Sequence, residues 1–253
     1  MTTPTTGSSS PFIHRIGVIA MCALGVLLHA TSGAAQDQVR VSVDAGLQTA
    51  TSDFTATALF TEFVEEGQVT TNHNVGSGFV FGGGVTVRVW EQLAVGAAVS
   101  YFSKAGTGEL EAELPHPFLF NQHRVVTGSV SDLKRREFGT HVIVGWIVPV
   151  DRMEVTMSGG PSIFQVRQDL VSGVTYTHQF PYDVAEFTGA VTRQFDKVVV
   201  GFHISGDVTW KLSNDIGLAA SGRYSHASAT DDETGAAFDV GGLQIGGGVR
   251  FFF

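Results

Sequence analysis

The chain has 253 residues, enough for one domain, with 43% hydrophobic residues, only 15% charged residues and a formal net charge of -9. So little charge is unusual for a water-soluble domain, and an acidic chain argues against nucleic acid as a partner, because nothing neutralises phosphates. The single cysteine, Cys22, lies in the N-terminal segment, so the rest of the chain has neither a disulfide framework nor a thiolate metal site.

Residues 1–15 are polar and end on His14-Arg15, Ile16 to Leu28 is an apolar run, and Ser32-Gly33-Ala34-Ala35 supplies small residues before polar Gln36-Asp37. This order predicts a signal peptide over residues 1–35, cut after Ala35, and one β-barrel domain over 36–253. The apolar run falls short of the roughly 20 residues of a membrane helix. Bulky Met21 before Cys22 does not suit lipid attachment.

Beyond residue 37 the dominant pattern is period-2 alternation, repeated eight times. The first predicted strand, 38–49, sets Val39, Val41, Val43, Ala45 and Leu47 against Arg40, Ser42, Asp44 and Gln48. The second, 77–90, sets Phe79, Phe81, Val85, Val87 and Val89 against Thr86 and Arg88, and the third, 92–103, sets Leu93, Val95, Ala97, Val99 and Tyr101 against Gly96 and Ser100. The fourth, 134–149, opposes Phe138, Val142, Val144, Trp146 and Val148 to Glu137, Gly139, His141 and Gly145. The fifth, 152–166, opposes Met153, Val155 and Met157 to Glu154, Thr156 and Ser158. The sixth, 198–211, opposes Val200, Phe202, Ile204, Val208 and Trp210 to His203, Ser205, Asp207 and Thr209. The seventh, 215–226, opposes Ile216, Leu218, Ala220 and Tyr224 to Ser221, Arg223 and Ser225, and the last, 240–253, opposes Leu243, Ile245, Val249, Phe251 and Phe253 to Gln244 and Arg250.

Three connections are tight, at Glu91, Val150-Asp151 and Ser213-Asn214, and four are long, over 50–76, 104–133, 168–197 and 227–239. Segments of the long ones, Val125–Val130 and Val174–Thr177, read as strand continuing past the membrane. The fold class is therefore all-β, a transmembrane antiparallel up-and-down β-barrel of eight strands with short periplasmic turns and long extracellular loops.

Alternation alone does not choose between a soluble barrel, apolar inside, and a membrane barrel, apolar outside. The signal peptide favours the membrane. So do the aromatics: Trp90, Trp146 and Trp210 run into the short turns, while Tyr101 and Tyr224 lie near the opposite ends, as interfacial girdles do. The C-terminus, Gly246-Gly247-Gly248-Val249-Arg250-Phe251-Phe252-Phe253, alternates and stops on Phe. It resembles the terminal-strand signal read by the bacterial barrel-assembly machinery, with Val249, Phe251 and Phe253 as its apolar positions. Over residues 37–253 the chain resembles the small eight-stranded bacterial outer-membrane barrels of the OmpA, OmpX and OmpW type. That resemblance implies transmembrane topology in the outer membrane, with lipid and lipopolysaccharide around the wall. It implies no single function, because members of the type differ.

An eight-stranded barrel has an interior just wide enough for side chains. Its predicted contents are Arg40, Arg88, Arg223 and Arg250 with Asp44, Glu137, Glu154 and Asp207, a charge-balanced set that reads as an ion-pair network plugging the lumen. Inward Gly82, Gly84, Gly96, Gly145, Gly246 and Gly248 are expected to make room for the arginines. His203, Ser205 and Asp207 alternate along one strand and read as lumen filler, since residues two apart are stacked and do not converge. His226-Ala227-Ser228 is similar to the His and Ser of barrel lipid-A deacylases, but no acidic partner stands at a convincing spacing. Gly-x-Ser-x-Gly, His-Glu-x-x-His and a phosphate-binding loop are all absent. The chain is accordingly expected not to be an enzyme and to need no cofactor.

The long loops carry carboxylates such as Glu62, Glu65, Glu66, Glu109, Glu111 and Glu113, which suit either a solvated surface or divalent cations. They also carry aromatics, among them Phe54, Phe60, Phe118, Phe120, Phe180 and Tyr182. The leading functional expectation is a structural or surface-interaction role through these loops. The alternatives are a narrow pore or OmpW-like conduit for small apolar molecules, and a lipid-modifying enzyme at the rim. No periplasmic module is expected after Phe253.

Overall fold

The computed structural model describes residues 39–49 and 53–253, and the expected signal peptide lies outside them. Ten strands follow in chain order: β1 (Val39–Gln48), β2 (Asp53–Glu62), β3 (Glu65–Asn74), β4 (Gly78–Trp90), β5 (Leu93–Pro115), β6 (His123–Val150), β7 (Met153–His178), β8 (Ala185–Lys211), β9 (Ile216–Thr230) and β10 (Ala237–Phe252). Eight of them, β1-β4-β5-β6-β7-β8-β9-β10, form an antiparallel ring that closes where β10 pairs with β1. Closure leaves no edge strand in the wall, which a bilayer demands because it offers no water to unpaired backbone groups.

The apolar face of every wall strand points outward. Val43, Leu47, Phe81, Val99, Val142, Met157, Ile204, Leu218 and Ile245 are all exposed, while Arg40, Ser100, His141, Thr156, His203 and Arg250 are buried inside. A water-soluble barrel reverses this arrangement. The band runs from Leu93 paired with Trp146 to Tyr101 paired with Phe138, nine residues on each strand. That matches the roughly 9–11 residues of a tilted strand crossing a bilayer. The expected barrel, its strand number and its membrane face all stand in the structure.

The short turns fall at 91–92, 151–152 and 212–215. Glu91 and Asp151 adopt positive φ there, as two-residue hairpin turns require.

The expected long loops are mostly not loops. β5 to β8 continue as paired strand well beyond the aromatic rows, leaving irregular only 116–122, 179–184 and 231–236. The stretch 50–76 contains a hairpin, β2–β3, whose second strand adds to the edge of β5 (Gln68–Asn74 against Thr107–Glu113). Together these strands build a β-structured extracellular projection. A bulge between Gly106 and Gly108 of β5, opposite Asp132 at φ 62, shifts β6 by one residue, so that inward positions change from Leu133 and Arg135 to Val126 and Arg124.

His73, on β3, stacks flat on Phe54 at 4.6 Å and has no hydrogen-bond partner on either ring nitrogen among the described residues. Burial lowers its pKa from 6.5 to about 4. Because the folded value lies below the unfolded one, the unfolded chain takes up the proton first. Stability from this site is complete above pH 6.5 and falls as pH drops towards 4, by about 1.4 kcal/mol per pH unit. Wild type should therefore lose about 2–3 kcal/mol relative to a His73→Phe variant between pH 7 and pH 4.5, read from urea midpoints of both proteins.

Candidate functional site

The lumen is layered. At the short-turn end Glu154 is reached by Arg40 Nη1 (3.7 Å), Arg88 Nη2 (3.4 Å) and Lys211 Nζ (3.2 Å), and the Lys211 ammonium stands 4.6 Å over the Phe252 ring. Next, Arg250 binds Asp44 at 2.6 Å and reaches Asp207 at 3.6 Å, while Arg40 reaches Asp207 at 3.8 Å and donates to Thr156 Oγ1 at 3.1 Å. Arg223 faces the same space with no carboxylate within 4.0 Å among the described residues. A cavity of about 90 Å³ lies between these groups.

Farther in, the polar contents are uncharged pairs. Ser158 and Ser205 share a hydrogen bond of 2.8 Å, and a chain runs Ser100–His141–Ser162–His203 with steps of 2.9, 2.8 and 3.0 Å. His203, Ser205 and Asp207 thus each take a different partner, as expected for filler.

Above this chain, Glu137 binds Arg135 Nε at 2.6 Å and accepts from Gln48 Nε2 (3.2 Å) and the Gly241 amide (3.0 Å). Gln244 donates to Gln48 at 2.8 Å, and Arg135 also donates to the Asp239 carbonyl. Glu137, expected in one ion-pair network with Arg40, Asp44, Arg88, Glu154, Asp207, Arg223 and Arg250, belongs instead to this separate layer with Arg135, which the strand pattern does not single out.

Beyond that layer the interior is mainly apolar. Phe54, Phe164, Val166, Leu170, Phe195, Phe238 and Val240 form one buried core. Val69, Leu110, Leu114, Val126, Leu133 and Val171 form a second inside the projection. The extracellular half of the lumen is therefore filled mainly by apolar side chains, with Gln168, His73 and the Arg193–Asp231 pair set among or beside them, and the ion-pair network expected to plug the lumen does not run through it.

The inward glycines act differently from expectation too. A Cβ on Gly248 would collide with the Val43 carbonyl and with the Asp44–Arg250 pair, so that glycine does make room for an arginine. A Cβ on Gly96 or Gly246 would instead strike the backbone of the adjacent strand, so those two allow the tight wall.

Trp90, Trp146 and Trp210 stand exposed at the short-turn end of the wall, and Tyr101 and Tyr224 stand exposed near its other end beside Phe81, Phe138 and Phe202. Val249 and Phe251 point to the outer face of β10.

One outer-face arrangement was not legible from spacing. Ser228 on β9 pairs directly with Asp239 on β10, and His226 Nδ1 lies 4.0 Å from Asp239 Oδ1. The carboxylate missing near His226 and Ser228 in sequence is supplied by the neighbouring strand, just above exposed Tyr224. All three side chains are reachable from outside.

The projection ends in exposed apolar groups. Phe118 and Tyr182 rings meet at 5.4 Å and Phe180 and Tyr182 at 6.0 Å, tying the loops 116–122 and 179–184 together. Arg124 fixes them from below by donating to the Tyr182 carbonyl (3.2 Å) and the Pro115 carbonyl (2.9 Å). Phe118, Phe120 and Phe180 nevertheless stand open to solvent. The β2–β3 turn adds Phe63 and Val64 at φ 51 and 66, with Val64 93% exposed. Positive φ is costly for a β-branched residue, and such strain collects at functional positions.

Among solved structures, the outer membrane protease OmpT from Escherichia coli is similar at a TM-score of 0.50 and 9% identity, covering 89% of this chain and 99% of that one. Neisserial surface protein A matches at 0.41 and 11% identity (85% and 97% covered), and the outer membrane protein OprG from Pseudomonas aeruginosa at 0.44 and 10% (86% and 98% covered). No protein-family model matches the chain, and no curated protein matches it. At these identities the likeness is one of fold. With the lipid-facing wall it defines the class by fold, a transmembrane antiparallel β-barrel of the kind seen in bacterial outer-membrane proteins. The expectation that the chain is not an enzyme is corrected here: a protease stands among the proteins that share the fold, so the barrel does not exclude catalysis.

Proposed function

We propose that the protein works at the outer face of the membrane, as a closed barrel that holds an ordered β projection for surface interaction. The observation that carries this reading is the apolar core filling the extracellular half of the lumen under that projection. Ions crossing it would have to shed hydration among packed, mainly apolar side chains that offer few polar groups in its place. The partner surface is the strained, exposed tip made by Phe63, Val64, Phe118, Phe120 and Phe180. The aromatic rows fix the depth of the barrel in lipopolysaccharide-containing membrane, and Val249, Phe251 and Phe253 are assigned to recognition by the assembly machinery.

Refolded protein in a planar bilayer, with folding checked by heat-dependent gel mobility, is expected to give no unit conductance. Discrete, reproducible steps would overturn the closed-lumen reading. Cells displaying the wild type should adhere to an apolar matrix more than cells displaying Phe118→Ser, Phe120→Ser and Phe180→Ser together; equal adhesion removes the tip from the proposal.

A second reading rests on His226, Ser228 and Asp239. A serine whose hydroxyl is activated by an imidazole, itself held by a carboxylate, attacks ester carbonyls. Set at the outer-leaflet interface, the group would act on an acyl ester of a membrane lipid. Ser228 Oγ would bond the carbonyl carbon, His226 would carry its proton to the departing alcohol, and water would release the acid. Exposed His226, unlike buried His203, has space to swing towards the serine two residues away. Labelling of wild type but not Ser228→Ala by a fluorophosphonate probe supports this reading; equal labelling of both, or none, dismisses it.

A further inference from the structure

We propose that the short-turn half of the lumen binds one small free oxyanion, a carboxylate or phosphate species, against the guanidinium of Arg223. The charges there do not balance once Glu137 is placed with Arg135. Among the described residues, the four arginines Arg40, Arg88, Arg223 and Arg250 face the three carboxylates Asp44, Glu154 and Asp207. Each of those carboxylates is already engaged. Asp44 is held by Arg250 at 2.6 Å, Asp207 by Arg40 and Arg250, and Glu154 by Arg40, Arg88 and Lys211.

Arg223 is left over. The field of Asp44 reaches it, but that carboxylate is committed to Arg250. Its Nε is buried without a partner. Arg223 is half-buried, and a guanidinium in such a confined space favours a counter-charge and acceptors for its fork of N–H donors; among the described residues no hydrogen bond or ion pair supplies them.

The space beside it is real. Arg223 and Ser221 line the cavity of about 90 Å³, together with Arg40 and Arg250. A single water needs only about 10–15 Å³ by the same measure, so the cavity takes an oxyanion with a few waters. Ser221 shares a face with Arg223 and makes no hydrogen bond among the described residues, which leaves its hydroxyl to donate. A planar carboxylate or a phosphate edge fits the guanidinium fork in a bidentate manner.

The site's position selects the ligand source. The apolar core closes the extracellular side, and the wall separates the cavity from lipid headgroups. Arg88, partly exposed at the short-turn end, adds positive potential on that side. The ligand is therefore a small soluble oxyanion from the periplasmic side.

The test uses the full barrel refolded in lipid. Sodium acetate and sodium phosphate are titrated separately at constant ionic strength, balanced with a bulky sulfonate too large for the cavity. Binding is read by calorimetry and by the urea midpoint. Wild type should respond saturably to one or both anions. Arg223→Met should not respond, and without anion it should be at least as stable as wild type, because a half-buried charge with no carboxylate partner has gone. Arg136→Gln, on the outer face, should respond as wild type does. If Arg223→Met does not refold, Arg223→Lys decides: at least tenfold weaker binding supports the site, and wild-type binding overturns it. A wild type with no saturable response, or an Arg223→Met protein that keeps it, also overturns the proposal.

Discussion

Glu137→Ala is expected to cost about 3–5 kcal/mol of unfolding free energy, because it leaves one side of a buried ion pair without the other. Arg135 is fully buried, and Glu137 is its carboxylate partner, at 2.6 Å. The same carboxylate accepts from Gln48 on β1 and from the Gly241 amide on β10. Its loss therefore leaves the Arg135 guanidinium without a carboxylate and the Gly241 N–H without its acceptor, and takes from the Gln48 amide one of two acceptors, the other being the Gly241 carbonyl. What remains to Arg135, its hydrogen bond to the Asp239 carbonyl and its contact with the Phe238 ring at 5.3 Å, does not supply the missing negative charge. The measurement is urea unfolding in lipid vesicles, followed by tryptophan fluorescence.

The double variant Arg135→Met with Glu137→Leu separates pairing from packing. Replacing a buried pair by apolar groups of similar volume is often neutral or stabilising. The double variant should recover about 2 kcal/mol or more relative to Glu137→Ala. A loss below about 1 kcal/mol in the single variant would mean that water reaches Arg135, and the layered description of the lumen would then be wrong at this level.

Arg135 also marks where sequence reading stops. Lys134-Arg135-Arg136 looks like a solvated charge run. Only strand parity separates it, sending Arg135 inward with Glu137 and leaving Lys134 and Arg136 outside. Parity is what made the wall legible: in every wall strand the residues expected to face lipid do so, and Arg40, Asp44, Arg88, Glu154, Asp207, Arg223 and Arg250 all turn inward. Period 2 reports a face but not a height. It therefore could not say that Glu137 sits a layer apart from the other charges, nor that Lys211 joins them.

The β2–β3 hairpin escaped for a local reason. Its turn is Phe63-Val64, with none of the Asn or Gly that a positive-φ pair normally recruits, and Thr55-Ala56-Thr57-Ala58 gives little contrast between faces. Asp239 escaped for a topological one. It follows Ser228 by eleven positions and meets it only through the β9–β10 register.

Phe238→Ala tests whether the apolar core is a seal or a gate. Phe238 is 3% exposed, packs on Phe54 at 4.8 Å and Phe195 at 5.3 Å, and lies under the Arg135 guanidinium. Truncation should cost about 3–5 kcal/mol, as the lost transfer energy is joined by a cavity that the stiff wall cannot collapse. The space left is bounded by Phe54, Phe195 and Val240 on one side and by the Arg135 guanidinium on the other, so it has room for a water beside the cation or for an apolar ligand against the rings. The variant should then remain silent in a planar bilayer, and benzene should restore part of its urea midpoint by filling the space. Conductance on removal of this one ring would instead identify the core as a thin gate over a conducting lumen. In that case the cations around Arg223 would be the lining of a path rather than the floor of a closed site.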